Sequence, residues 1–115
     1  MIHSTIRMEL ESGKHGDTLH LLCSIAQRTR SKPGCISCCV YRDIENDSMI
    51  LFEQLWRNQK YLRHHLRSDD YQKVLLIVEV AMHKPEICFN SITNTTGVET
   101  IQKARKGRKT CVHAP

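Results

Sequence analysis

At 115 residues the chain is long enough for one domain and too short for two. Its 40% apolar and 25% charged residues are ordinary globular values that exclude a disordered or fibrous chain. The net charge of +5 is local: Lys103, Arg105, Lys106, Arg108 and Lys109 follow the last acid, Glu99, whereas residues 1–102 hold 12 bases and 12 acids, so no specific nucleic-acid partner is expected.

Ile2, Ser4, Ile6, Met8 and Leu10 share one parity, and His3, Thr5, Arg7 and Glu9 the other, which predicts a half-buried first strand. Glu11-Ser12-Gly13 breaks it. From Lys14 to about Arg30 the period becomes helical, with Leu19, Leu22, Cys23 and Ala26 on one face. Lys32-Pro33-Gly34 ends that helix. Residues 35–43 predict a second strand, with Ile36, Cys38 and Val40 on one face and Cys35, Ser37, Cys39 and Tyr41 on the other. A short polar link, Glu45-Asn46-Asp47-Ser48, leads by an antiparallel hairpin to a third strand over 49–57. Ile50, Phe52 and Trp56 face one way there, Leu51 and Leu55 the other, so both faces should be covered.

Asn58 can cap a short helix with Leu62, His65 and Leu66 along one side. Ser68-Asp69-Asp70 caps another, its acids at the positive end of the dipole. The run over 74–82 is β-branched, but the cap and the spacing of Tyr71, Leu75, Val78 and Met82 predict a helix, stopped by Pro85. Ile87, Phe89 and Ser91 alternate with Cys88, Asn90 and Ile92 in a last strand. Gly97 opens a final helical turn over 98–104, and a basic flexible tail, 106–115, follows.

The order β-α-β-β-α-α-β is the α+β, ferredoxin-like split β-α-β topology, an antiparallel four-stranded sheet with helices on one face. Strands three and four read as apolar on both sides. An open apolar sheet face predicts an interaction surface, most simply a homodimer. Cys35-Ile36-Ser37-Cys38 is formally a C-x-x-C, but a zinc site needs a second ligand pair and a redox site a helix N-terminus, whereas this one starts a strand whose alternation puts Cys35 and Cys38 on opposite faces, so the six cysteines are expected reduced and metal-free. No apolar run approaches the ~20 residues of a membrane span. Met1-Ile2-His3-Ser4 lacks a basic start and an apolar core, and a cytoplasmic location away from membranes is the expectation.

Pro33-Gly34-Cys35-Ile36 leading into Val40-Tyr41-Arg42-Asp43, Trp56 followed by His65-Leu66 and Ser68, and Pro85-Glu86-Ile87 with Phe89, Gly97 and the 101–105 stretch form an ordered set. Together they resemble the antibiotic biosynthesis monooxygenase-like family over residues 1–105. The resemblance implies a dimeric α+β barrel, two sheets packed through their open faces, with a small apolar pocket in each subunit. It also implies oxidation of a phenolic or quinol-type aromatic by dioxygen with no metal or flavin cofactor, or a binding module on the same scaffold. A haem-degrading branch uses a helix histidine later in the chain than the segment matching His65-Leu66. The corresponding position here is about Leu75, which cannot ligate iron.

A cofactor-free oxygenase needs a dry aromatic pocket, a few hydrogen-bonding groups and a base. Trp56, Tyr61 and Tyr71 are the candidate substrate-binding residues, and His65 the candidate catalytic residue, as base or hydrogen-bond partner of a substrate hydroxyl. Tyr61 and His65, four apart on one helix, can share a pocket wall. Each has a plainer use: Trp56 and Tyr71 in core packing, and His65 as a neutral ring bonded to a backbone carbonyl near its helix end.

Overall fold

The computed structural model describes residues 1–11 and 15–107. The elements are β1 (Ile2–Glu9), α1 (His15–Thr29), β2 (Cys35–Arg42), β3 (Met49–Trp56), α2 (Gln59–Leu66), α3 (Asp69–Val80), β4 (Met82–Ser91) and α4 (Val98–Ala104). The strands form one antiparallel sheet in the order β2-β3-β1-β4, so the expected α+β topology is observed. The predicted break at Ser12-Gly13 and helix start at Lys14 lie outside the described residues, as do Cys111 and residues 108–115 of the expected tail.

Alternation in β1 is as read: Ile2, Ser4, Ile6 and Met8 are buried. They meet Ile50, Phe52, Gln54 and Trp56 of β3 across the sheet, all four of them buried as well. Leu22, Ile25 and Ala26 of α1 and Tyr71, Val74 and Ile77 of α3 close over this face to make the main core. A smaller cluster of Ile2, Trp56 and Leu62 sits under α2 at one end of the sheet.

Two caps predicted from sequence are made. Asn58 accepts from the backbone N–H of Tyr61 at 3.2 Å, and Ser68 from that of Tyr71 at 3.2 Å. Each satisfies a donor the first helical turn cannot pair internally.

Several assignments are corrected. Cys23 is exposed, and Ile25 takes the inward place on α1. On α3 the buried set is Tyr71, Val74 and Ile77, while Leu75 faces outward and Met82 belongs to β4. In this largely apolar run several helical stripes fit, and packing on the sheet selects one. Pro85 does not stop the helix; α3 ends at Val80, with Ala81 extended, and Pro85 lies inside β4. That strand pairs only with β1, and its register slips between Arg7 and Glu9; an irregular edge strand tolerates a residue without an N–H.

A bulge in β2 also breaks the predicted alternation. Cys35 lies opposite Trp56 and Ser37 opposite Leu55, so Ile36 is the extra residue and is 46% exposed. Cys35 and Cys38 therefore both pack against the core and do not face opposite ways.

The face of the sheet away from the helices is mixed rather than wholly apolar. Half-buried Leu51 and Leu55 are joined there by His3 and Glu53, which pair at 2.9 Å, and β4 presents Glu86, Cys88 and Asn90 to that side. Strand β4 is thus apolar on one face only, the side of Ile87 and Phe89, which remain 44% and 46% exposed at the sheet edge.

Candidate functional site

One end of the sheet carries an open groove of about 790 Å³, bounded by α2, the loop before β2 and the end of β3. The loop enters β2 through Gly34, whose φ of 81° is left-handed. Glycine is required there for a second reason: a Cβ would run into the Tyr61 ring. The bare backbone lets α2 seat Tyr61 against the loop, and the Gly34 carbonyl accepts from Arg57 N–H at 2.8 Å, tying the loop to the end of β3.

The four predicted residues do gather here, though not all on one wall. Trp56, Tyr61 and His65 line the groove. Tyr71 does not; it lies buried behind His65, edge-on to the imidazole, with ring centroids 5.5 Å apart. On its other side His65 stacks on Trp56 at 4.8 Å. The imidazole is thus clamped between two aromatic rings and is 1% exposed.

Its polar partners are side chains, not the backbone carbonyl that was one expectation. Nε2 lies 3.3 Å from Gln54 Nε2, and Nδ1 lies 3.3 Å from Lys32 Nζ. The carbonyl of His65 itself accepts from Ser68 Oγ at 2.6 Å, which fixes the end of α2.

Gln54 is one residue that sequence reasoning missed. Its Oε1 accepts from Trp56 Nε1–H at 3.0 Å. Because an indole can only donate, the amide oxygen must face Trp56 and the NH₂ must face His65 and, at 3.7 Å, the Cys38 sulfur. The signal was present: a lone polar residue on the buried parity of β3, between Phe52 and Trp56.

Lys32 and Asp70 were missed as well. Lys32 read only as part of a helix stop, yet its ammonium meets Asp70 Oδ2 at 3.2 Å, and Asp70 also takes Arg28 at 2.9 Å. Hydrogen bonding by Arg28, followed by the pull of Lys32, holds the Asp70 carboxyl down to about 2 against desolvation.

Burial, then the nearby charge of Lys32, lowers the His65 pKa to about 4, with Asp70 opposing. The ring is neutral at physiological pH, and so weak a base is better suited to directing a hydrogen bond than to removing a proton. Burial raises the Tyr71 phenol and pushes the Cys38 thiol up to about 12. Among the described residues no three His, Cys, Asp or Glu side chains gather to hold a metal ion. Leu75 faces outward on α3, away from the groove.

Residues 1–75 match the family described as antibiotic biosynthesis monooxygenase. The chain belongs to this family. The antibiotic biosynthesis monooxygenase fold recurs in solved structures. One is a provisionally named antibiotic biosynthesis monooxygenase from Deinococcus radiodurans, with a TM-score of 0.76, 20% identity and coverage of 84% of this chain and 97% of that one. Another is SnoaB of Streptomyces nogalater, a cofactor-independent oxygenase, with a TM-score of 0.68, 13% identity and coverage of 82% and 94%. At these identities the likeness is one of fold. An uncharacterised Synechocystis protein, sll1783, is 31% identical over 89 residues, 76% of this chain. The chain spans about 60% of the length of that curated relative. Among the described residues no helix of this family member is long and apolar enough to cross a membrane.

Proposed function

We propose that the chain is a monooxygenase-type oxidoreductase that oxidises a small phenolic or quinol-type aromatic in the groove beside α2, with no metal or flavin. The observation that carries this is the convergence of Trp56, Tyr61 and His65 on one groove, backed by Tyr71, in a member of a family whose fold is shared with a cofactor-independent oxygenase.

The substrate would lie with its ring against Trp56 and Tyr61. Dioxygen is a triplet and reacts slowly with closed-shell molecules, but an electron-rich phenolate can pass it one electron and then recombine with the superoxide formed. For a phenol with a free para C–H the products balance as a quinone and water. One oxygen atom bonds to carbon, and the other leaves with the O–H and C–H hydrogens. The substrate supplies all the electrons. The protein's work is to orient the ring, exclude water and stabilise the anion. His65, held by Gln54 and stacked between rings, would orient the substrate by directing an N–H at one of its oxygens rather than act as the base.

The homodimer implied by the family resemblance belongs to the same reading: Leu51, Leu55 and Tyr41 on the face away from the helices would meet a second copy. Oxygen-electrode measurements with a panel of phenols and 1-naphthols bearing a free para C–H test the activity. Enzyme-dependent oxygen uptake with quinone formation, lowered roughly ten-fold or more by His65→Gln, is expected. Saturable binding with no oxygen uptake across the panel would assign the groove to a binding module instead.

A further inference from the structure

We infer that the groove selects an aromatic anion, such as a carboxylated phenol, by placing an oxyanion between Lys32 Nζ and His65 Nδ1. This rests on the proposed aromatic-binding role of the same groove and names the class of ligand it takes.

Two independent observations lead there. The first is a mismatch of hydrogen-bonding groups. Trp56 Nε1–H fixes the Gln54 oxygen, so the Gln54 NH₂ faces His65 Nε2, and Nε2 must accept. A neutral imidazole then carries its one proton on Nδ1. That N–H points at Lys32 Nζ, 3.3 Å away, and an ammonium only donates. Two donors converge with no acceptor between them. Moving the proton to Nε2 only shifts the clash to Gln54. The set Trp56–Gln54–His65–Lys32 is one acceptor short in either tautomer. Its open end is at Lys32, which lines the groove and whose side chain is 28% accessible. An oxyanion entering there would accept from both N–H groups, and such charge-assisted bonds are the strong ones.

The second observation is the charge of the walls. Lys32, Lys60, Arg63 and Arg67 all line the groove, with His64 beside them, and among the described residues no Asp or Glu does. Residues 1–102 are balanced overall, so a third of their bases are gathered on one concave surface. Basic residues in the last turn complement the carbonyl end of α2. Lys32, however, comes from a different element and points into the same space. Asp70 neutralises only one side of Lys32 and is itself shared with Arg28.

Isothermal titration of the full chain with 2,5-dihydroxybenzoate and its neutral isostere 2,5-dihydroxybenzamide tests the inference, with quenching of Trp56, the single tryptophan, reporting the location. The carboxylate is expected to bind roughly ten-fold or more tightly than the amide, and Lys32→Met should remove that preference by weakening carboxylate binding far more than amide binding. Arg28 still pairs with Asp70 in that variant. Should Lys32→Met fold poorly, the double variant Arg63→Gln/Arg67→Gln, one exposed arginine on α2 and the other at its C-cap, is expected to reduce the preference. Equal affinity for the two compounds, no binding of either, or a preference unchanged in both variants would overturn the inference. Oxygen uptake with the panel of para-unsubstituted phenols and naphthols judges the oxygenase reading separately. Tight carboxylate binding with no oxygen uptake across that panel keeps the anion site and sinks the enzyme. Turnover with no carboxylate preference does the reverse.

Discussion

Replacing His65 with glutamine should flatten the acid dependence of folding. In the folded chain the ring is 1% exposed and its pKa is lowered from 6.5 to about 4, first by burial and then by the charge of Lys32. In the unfolded chain it protonates at its ordinary value. Between these two values the unfolded state binds more protons. A base with a depressed folded pKa contributes stability that is fully present above about pH 6.5 and is lost as pH falls towards about 4. Between about pH 7 and pH 4.5 the loss comes to about 2 kcal/mol, a large share of the ~5–15 kcal/mol of a typical domain.

Asp70, held down to about 2, keeps most of its contribution at that pH, and its window lies below it. Glutamine can still offer an oxygen to the Gln54 amide but cannot titrate. Urea unfolding of both proteins at the two pH values measures the difference. The native chain should lose about 2 kcal/mol more than His65→Gln. Equal losses would refute the assignment of His65 as a buried neutral ring.

Gly34→Ala should destabilise the chain by about 2–4 kcal/mol, from a left-handed backbone bearing a Cβ and from displacement of the Tyr61 ring. Thermal unfolding reads the cost, and unchanged stability would mean the loop and α2 are not in register. Site-resolved maleimide labelling at neutral pH should modify exposed Cys23 while sparing Cys38, whose buried thiol sits near 12; equal rates at Cys38 and Cys23 would contradict its burial. Light scattering after size-exclusion chromatography should give about twice the 13.3 kDa chain mass, and should do so after deletion of residues 106–115; a monomer would leave Leu51 and Leu55 facing water.

Much of this protein was legible in its sequence because the signals were local. Period-two alternation marked β1, side-chain caps marked the starts of α2 and α3, and Pro33-Gly34 marked a turn that the positive φ of Gly34 makes. Those features depend on backbone geometry within a few residues, and they sufficed to order the elements and to bring Trp56, Tyr61 and His65 to one end of the sheet. Other features depended on packing partners distant in the chain. The bulge at Ile36 moved Cys35 to the core side, and the sheet chose Val74 and Ile77 over Leu75 and Met82. The edge position of β4 allowed Pro85 to sit within a strand.

The polar heart of the groove is the clearest case. Lys32 and His65 stand 33 residues apart, Arg28 and Asp70 stand 42 apart, and no periodicity links either pair. A side chain's partner across that distance is set by how α1, α2 and α3 stack on the sheet. Whether an imidazole acts as a base or as a buried donor follows from that stacking, because desolvation and neighbouring charge move its pKa and no property of the residue alone does.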